Sequence, residues 1–225
     1  MRREEALLFA TMPQHRALVR RTLGMIQESL TKVSTPYVAC SFGKDSSVML
    51  HLVRQFAPDI PIRFVTHPET RLLGNYDEIL TIWGGINLQE IYLHRDNARE
   101  TRGNTQRDAL EAENHDSFFV GLRADESKGR AMTLKTHGVF SKQKRTGRIR
   151  ICPVAWWSEK DIIAYTYVNN IPLLKKYKDM GTSARTTTGL PHNGFAVESF
   201  QHLRQFNPTA WNELNSIYSD LNDLL

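Results

Sequence analysis

An open, doubly wound α/β fold is what this sequence predicts: a mostly parallel sheet of about five strands, helices on both faces, and further helices toward the N- and C-terminal ends. Three observations predict it. Short apolar runs bounded by Pro, Gly and Asp/Asn signals alternate with stretches of helical periodicity, at the spacing of βαβ units. No internal repeat or low-complexity linker divides the 225 residues, so one domain accounts for them. The first strand also runs through a small polar turn into a helix, which is how such sheets place ligands at strand ends.

The elements follow in order. Val19, Leu23, Ile26 and Leu30 recur at helical spacing, so residues 14–33 form an amphipathic helix. Pro36 opens the strand "YVAC", and "SSVMLHLVRQF" is the helix behind it, ended before Pro58. "PIRFV" is the second strand, closed by the turn "THPET", Thr66 to Thr70. "NYDEILTIW" is a helix stopped by Gly84-Gly85, and "LQEIYL" is the third strand. A polar helix near residues 98–113 leads to the fourth strand, "DSFFVGL", and "RIRICPV" is the fifth. "SEKDIIAYTYVNN" opens on a capping box, in which Ser158 and Asp161 satisfy each other's free N–H groups. Trp156, Trp157, Ile162 and Ile163 read as the core side of that helix, and "NPTAWNELNSIYSDLNDLL" as a C-terminal helix. Residues 1–225 are one domain, with a helical region 1–35, a core 36–175, and a lid loop and helix 176–225.

Composition narrows the function. Forty per cent hydrophobic residues support a sizeable core. The first twelve residues hold neither a secretory signal nor a membrane span, and Cys40 and Cys152 make no disulfide framework, so the expectation is a cytoplasmic protein without membrane contact. A net charge of +5 suits anionic ligands. Much of it lies in "SKQKRTGRIR", where Lys142 to Arg150 is either a solvated loop or a contact surface for DNA or another acidic partner.

The turn after the first strand, Ser41 to Ser47, has the make-up of an anion cradle. Its backbone N–H groups, Phe42 included, and the start of the helix converge on one spot with partial positive charge. Gly43 allows close approach or a positive φ, Lys44 supplies a cation, and Ser41, Ser46 and Ser47 supply hydroxyls. Asp45 is suited to cap the helix or to help hold a magnesium ion riding on phosphates. The spacing is neither that of a Walker A loop nor G-x-G-x-x-G. Further on, Gly121, Arg123 and Arg130 follow a strand that ends on the same sheet edge. Their guanidiniums either neutralise charge on a breaking phosphate bond or form surface ion pairs, Arg123 to Asp125 and Glu126 to Arg130.

"SFGKDSS" resembles the pyrophosphate-binding loop of the PP-loop ATP pyrophosphatases, in the S-x-G-K-D-S form of the phosphoadenosine phosphosulfate (PAPS) reductase family. "GLRADESKGR" is similar to that family's G-x-R-x-x-E-S-x-x-R segment, and "PVAWWSEKDIIAYTYVNNIPL" to its P-x-x-x-W-x-x-x-D-[VI]-x-x-Y region, followed by I-P. Together these matches span Tyr37 to Leu173. The resemblance implies an adenine nucleotide alpha-hydrolase-like fold, and ATP with Mg2+ cleaved between the α and β phosphates. Lys44 and Asp45 would then act at the pyrophosphate, and Arg123 and Arg130 at the transition-state charge. Thr66 would meet the nucleoside, where Val65 replaces the family's acidic residue, and Arg185 would reach a phosphate from a lid, "SARTTTG".

The departures matter as much. PAPS reductases use a cysteine in an E-C-G-[IL]-H motif, and related reductases and DndC-type proteins hold an iron–sulfur cluster on cysteines. No cysteine follows Cys152 here, and Leu190 and His192 stand near where cluster ligands are expected. Cys40 and Cys152 read as small core residues, and the histidines lack zinc spacing. The expectation is an ATP pyrophosphatase without iron–sulfur cluster or zinc. It would work with partner proteins, with an oligomer left open, in sulfur transfer or nucleic-acid modification such as DndC- or SspD-type DNA phosphorothioation. The alternatives are a sulfonucleotide reductase borrowing a partner thiol and a non-catalytic nucleotide-binding subunit.

Overall fold

The computed structural model describes residues 1–66, 76–83, 87–92, 114–174, 177, 200–201, 203–217 and 222. The expected polar helix near 98–113, the turn after Thr66, Gly84-Gly85 and the segment with Arg185, Leu190 and His192 lie outside them.

Among the described residues, α1 (Arg3–Ala10) and α2 (Pro13–Leu30) precede β1 (Pro36–Ala39) and α3 (Lys44–Arg54). Then come β2 (Ile62–Thr66), α4 (Tyr76–Trp83), β3 (Leu88–Tyr92) and β4 (Ser117–Val120). A 3-10 turn (Ala124–Glu126), α5 (Lys128–His137), β5 (Phe140–Lys142), β6 (Ile149–Ile151), α6 (Glu159–Val168) and α7 (Pro208–Ile217) complete the order. The sheet runs β3-β2-β1-β4-β6-β5, parallel throughout except at the β5–β6 edge. The order reverses between β1 and β4, so the loops leaving those two strands flank the crevice where ligands of such sheets bind.

The five expected strands are all present, and one is added. The basic stretch is a β-hairpin rather than a solvated loop: Phe140–Lys142 pairs with Ile149–Ile151. The Gln143 N–H donates to Arg148 O (2.8 Å), and Gly147 takes φ +71° in the turn. Three residues of strand alternate too briefly, among too many charges, to register as a period of two. Because β6 is parallel to β1, this turn lies at the opposite sheet edge from the β1 and β4 loops.

The core explains why the pieces hold. Val38, Phe64, Phe119 and Ile151 from the strands close against Val48, Met49, Leu52 and Ile162 from the helices, all fully or nearly fully buried. Each such side chain contributes about 1.5–3 kcal/mol of transfer free energy. Trp157 is buried as expected and donates its indole N–H to Thr22 Oγ1 (2.9 Å). Trp156 corrects the expectation for the pair: it is 53% exposed. A period read across "WWSEKDII" mistook this pre-helical residue for part of α6, whose N-cap is Ser158.

The capping box forms. Asp161 N–H donates to Ser158 Oγ (3.2 Å) and Ser158 N–H to Asp161 Oδ2 (2.9 Å). His15 on α2, also buried, bonds Asp161 Oδ1 through Nδ1 at 2.9 Å, a tie between distant helices that no local pattern signals. Burial alone would raise the Asp161 pKa, but the hydrogen bonds from His15 and Ser158 outweigh it and hold the carboxyl below its ordinary value. A depressed folded-state pKa contributes stability in full above the unfolded value of about 4 and loses it as pH falls. Thermal melts taken from neutral pH to about pH 3 should therefore show a smaller acid-induced fall in Tm for Asp161→Asn than for the wild type, from a lower starting Tm.

Candidate active site

The loop after β1 is tightly wound. Cys40 Sγ accepts the Phe42 N–H (3.4 Å), and Phe42 itself adopts φ +53°. A bulky residue in the left-handed region costs on the order of 1–3 kcal/mol. The Phe42 ring offsets this from a fully buried position, edge-on to Phe64 with centroids 5.3 Å apart. The positive φ expected as an option at Gly43 thus falls one residue earlier. Gly43 has φ −66°, and its missing side chain serves space: a Cβ there would lie 3.3 Å from Tyr177 Oη and 3.5 Å from Ser41 Oγ.

That glycine also leaves α3 without a side-chain cap. The first intrahelical bond runs from Ser47 N–H to Gly43 O (2.9 Å). The N–H groups of Gly43, Lys44, Asp45 and Ser46 have no carbonyl of their own helix to meet. At the same sheet edge α5 and α6 begin differently, on Ser127 and Ser158, whose hydroxyls accept from Arg130 N and Asp161 N. Ser46 Oγ donates to Gly43 O (3.0 Å) and lies 3.2 Å from Ser41 Oγ. Ser47 Oγ is buried with no hydrogen-bond partner among the described residues.

Gly121, just beyond β4, seats this helix end. A Cβ at position 121 would stand 2.9 Å from both Ser46 Cα and Ser46 N, and 3.1 Å from the Asp45 carbonyl carbon. Only glycine lets the β4 turn approach the first turn of α3 so closely.

Arg123 joins the same two loops by charge. Its side chain is 4% exposed, and Nε donates to Asp45 Oδ1 at 2.7 Å. Nη1 donates to Asp125 Oδ2 and to the Trp157 carbonyl, each at 3.2 Å. The Arg123 N–H donates to Glu126 Oε2 (3.0 Å), and Glu126 pairs with Arg130 Nη1. Both ion pairs that the sequence set against phosphate contact are formed. Lys44 Nζ lies 3.4 Å from Asp45 Oδ2 and 3.9 Å from Glu159 Oε1. Asp45 therefore meets Arg123 through one oxygen and Lys44 through the other, an arrangement of an ion-pair partner that does not fit a magnesium ligand. Among the described residues no three His, Cys, Asp or Glu side chains gather around a metal position. Thr66 ends β2 at the same edge as the cradle, on the far side of β1 from β4. The sequence did not point to Asp125 and Glu159 as neighbours of the loop. The capping box was the signal available, since it puts Glu159 in the first turn of a helix starting at this edge.

Neither thiol is exposed. Burial pushes Cys40 up to about 12 against its hydrogen bonds from Phe42 and Ser46, and Cys152 up to about 11 against nearby Arg150.

A mostly parallel sheet whose reversal point carries an uncapped helix N-terminus, a lysine and a close-packed glycine has the α/β architecture of the PP-loop folds. The phosphoadenosine phosphosulfate reductase domain pattern matches residues 76–183 of the chain. That match takes in Gly121, Arg123 and Arg130. Sulfate adenylyltransferase subunit 2 of Trichlorobacter lovleyi is 26% identical over 212 residues, 76% of this chain and 69% of that one. Phosphoadenosine 5'-phosphosulfate reductase of Xylella fastidiosa is 32% identical over 162 residues, 61% of this chain and 65% of that one. The chain thus spans about two thirds of the length of these relatives. In architecture it resembles the FMN adenylyltransferase of Candida glabrata solved with ATP, at TM-score 0.58 and 19% identity over 78% of this chain and 61% of that one. The described helices include none long and apolar enough to cross a membrane.

Proposed function

We propose that this chain is an adenylyl-transferring ATP pyrophosphatase of sulfur metabolism. An acceptor oxygen attacks the α phosphorus of ATP, the bond to the bridging α–β oxygen breaks, and pyrophosphate leaves with that electron pair. With water as acceptor the products are AMP and pyrophosphate. The observation that carries the reading is the N-terminus of α3, left without a side-chain cap at the sheet's reversal point. Four backbone N–H groups and the helix dipole are preorganised there for an anion, so charge on the leaving pyrophosphate is met without rearrangement. Lys44 exchanges its long contact with Glu159 for a phosphate oxygen. Arg123 fixes Asp45, and through it the first turn of α3. Magnesium enters as part of the nucleotide substrate, and no step is assigned to a protein-held ion.

Relatives named as a subunit favour a partner subunit for this chain. The expected setting is the cytoplasm. DNA phosphorothioation is a narrower form of the same reading, and the position of the basic hairpin turn at the far sheet edge speaks against its guiding a strand to the cradle. The reductase relative supports a second reading, sulfonucleotide reduction. With Cys40 and Cys152 both buried, that chemistry draws its thiol from a partner, and thioredoxin-dependent sulfite release would reveal it.

The test is Mg-ATP labelled at the α phosphate, incubated with the protein and its products resolved. Labelled AMP or an adenylated acceptor is expected, with Lys44→Ala lowering kcat/KM by roughly 10²–10³-fold, the scale of one preorganised charge-stabilising donor. ADP as the labelled product would overturn the assignment of the bond cleaved.

A further inference from the structure

Beyond α6 the chain returns to the turn after β1 and lays a tyrosine against it. Tyr177 N–H donates to Leu174 O (2.9 Å), both side chains belong to the main core cluster, and Tyr177 is 7% exposed. Its hydroxyl leaves that core at Gly43. Tyr177 Oη stands 3.3 Å from where a Cβ on residue 43 would be, with Ser41 Oγ at 3.5 Å and Ser46 Oγ at 4.0 Å from the same point. Three hydroxyl oxygens thus surround one small space, which glycine keeps open at the N-cap of α3. Their protons are not equally available. Ser46 Oγ donates its single proton to Gly43 O (3.0 Å), so in the contact between Ser41 Oγ and Ser46 Oγ (3.2 Å) Ser41 is the donor. Both serines are therefore spent as donors inside the loop. Tyr177 Oη has no hydrogen-bond partner among the described residues, and unlike Ser47 Oγ it is not among the polar atoms sealed from solvent. An uncommitted O–H donor is left facing the uncapped helix end.

We infer that Tyr177 is a binding residue of the cradle, and that its O–H donates to a non-bridging oxygen of the pyrophosphate moiety seated in the space beside Gly43. The inference rests on the adenylyl-transfer reading and adds to it a donor from outside the loop. Size and charge select the ligand group. The space around one missing Cβ admits a single oxygen and no ring, so a nucleoside is excluded from it. The free N–H groups of α3 and its dipole favour an anion there and disfavour a cation. An oxygen placed among Ser41, Ser46 and Tyr177 meets lone pairs on the two serines, and Tyr177 supplies the proton that makes the position favourable. The donor is also preorganised: a ring already fixed in the core gives up little freedom when the ligand arrives. Its hydrogen bond strengthens as negative charge grows on the departing pyrophosphate.

The experiment compares the full chain with Tyr177→Phe, which keeps the packed ring and removes only the hydroxyl. Calorimetry follows the binding of inorganic pyrophosphate and, separately, of α,β-methylene-ATP, both with magnesium, and Tm is measured without ligand. The expected result is an affinity about ten- to a hundredfold weaker for both ligands, the range for losing one hydrogen bond to a charged group. Tm without ligand should equal that of the wild type or exceed it, because the hydroxyl removed has no partner in the unliganded protein. Unchanged affinity for pyrophosphate would overturn the inference, and so would a loss confined to the ATP analogue, which would put the contact at the nucleoside end. A fall in Tm accompanying the weaker binding would overturn it as well, by showing that the hydroxyl supports the fold. Failure of the wild type itself to bind either ligand would remove the adenylyl-transfer reading and the inference with it, and that failure is seen before the variant is compared.

Discussion

Gly121→Ala is expected to fold with reduced stability and to lose most of its affinity for ATP. The added methyl group meets backbone, Ser46 Cα and N at 2.9 Å, and not the flexible end of a side chain. One of two rigid pieces must move: the β4 turn, which carries Arg123, or the first turn of α3. Overpacking of this kind costs about 1–3 kcal/mol, a Tm loss of roughly 2–4 °C per kcal/mol for a chain of this length. The larger effect falls on binding. A displacement of a few tenths of an ångström takes the α3 N–H groups off a common anion position, and their contribution depends on converging there. An affinity loss of tenfold or more by calorimetry, with a modest fall in Tm, is the expected pair of results. Unchanged ATP affinity would show that the phosphates do not sit on the first turn of α3.

Gly121 also shows what the sequence could and could not disclose. Its place after a strand, two residues before an arginine, marked it as a candidate site position. Its reason was not legible, because the clash it avoids is with a residue 75 positions away (121 − 46). The five parallel strands and helices α2, α3, α4 and α6 were legible because each announces itself locally, by period and by punctuation. So was the polar turn between β1 and α3, which the sequence marks as a candidate anion cradle. Phe42 was not. Nothing local says that a phenylalanine takes the positive φ while the next residue, a glycine, does not; the buried ring against Phe64 decides it. Trp156 was misplaced for a related reason, as periodicity cannot tell a residue of the turn leading into a helix from one on the helix's buried face. Arg123 was read as either a phosphate contact or one half of an ion pair with Asp125, and its further partners come from other segments. Asp125 is a local partner, two residues away, whereas Asp45 and the Trp157 carbonyl are brought to Arg123 by the sheet.

Those partners make the most discriminating prediction. If Arg123 worked chiefly by touching phosphate, Arg123→Ala would weaken ATP binding and leave the unliganded protein stable. The geometry leads to the opposite expectation. With 4% of the side chain exposed and Nε and Nη1 committed to Asp45, Asp125 and the Trp157 carbonyl, Arg123 positions the cradle from behind. Its removal takes the nearer cation from the largely buried Asp45 and leaves it only Lys44, at 3.4 Å, a loss approaching about 3–5 kcal/mol, and Tm should fall by roughly 10 °C. Arg123→Lys should recover little of this, since an ammonium cannot span the acceptors that the planar fork reaches together. The decisive measurement is the double-mutant cycle with Asp45→Asn. A positioning role requires the two substitutions to be strongly non-additive in Tm or denaturant midpoint without nucleotide, by about 1–3 kcal/mol. Additive effects on stability, with the whole loss appearing in ATP affinity, would instead return Arg123 to the phosphates. Either result assigns the residue, because the two roles act on different states of the protein: one on the fold before ATP arrives, the other only on the complex.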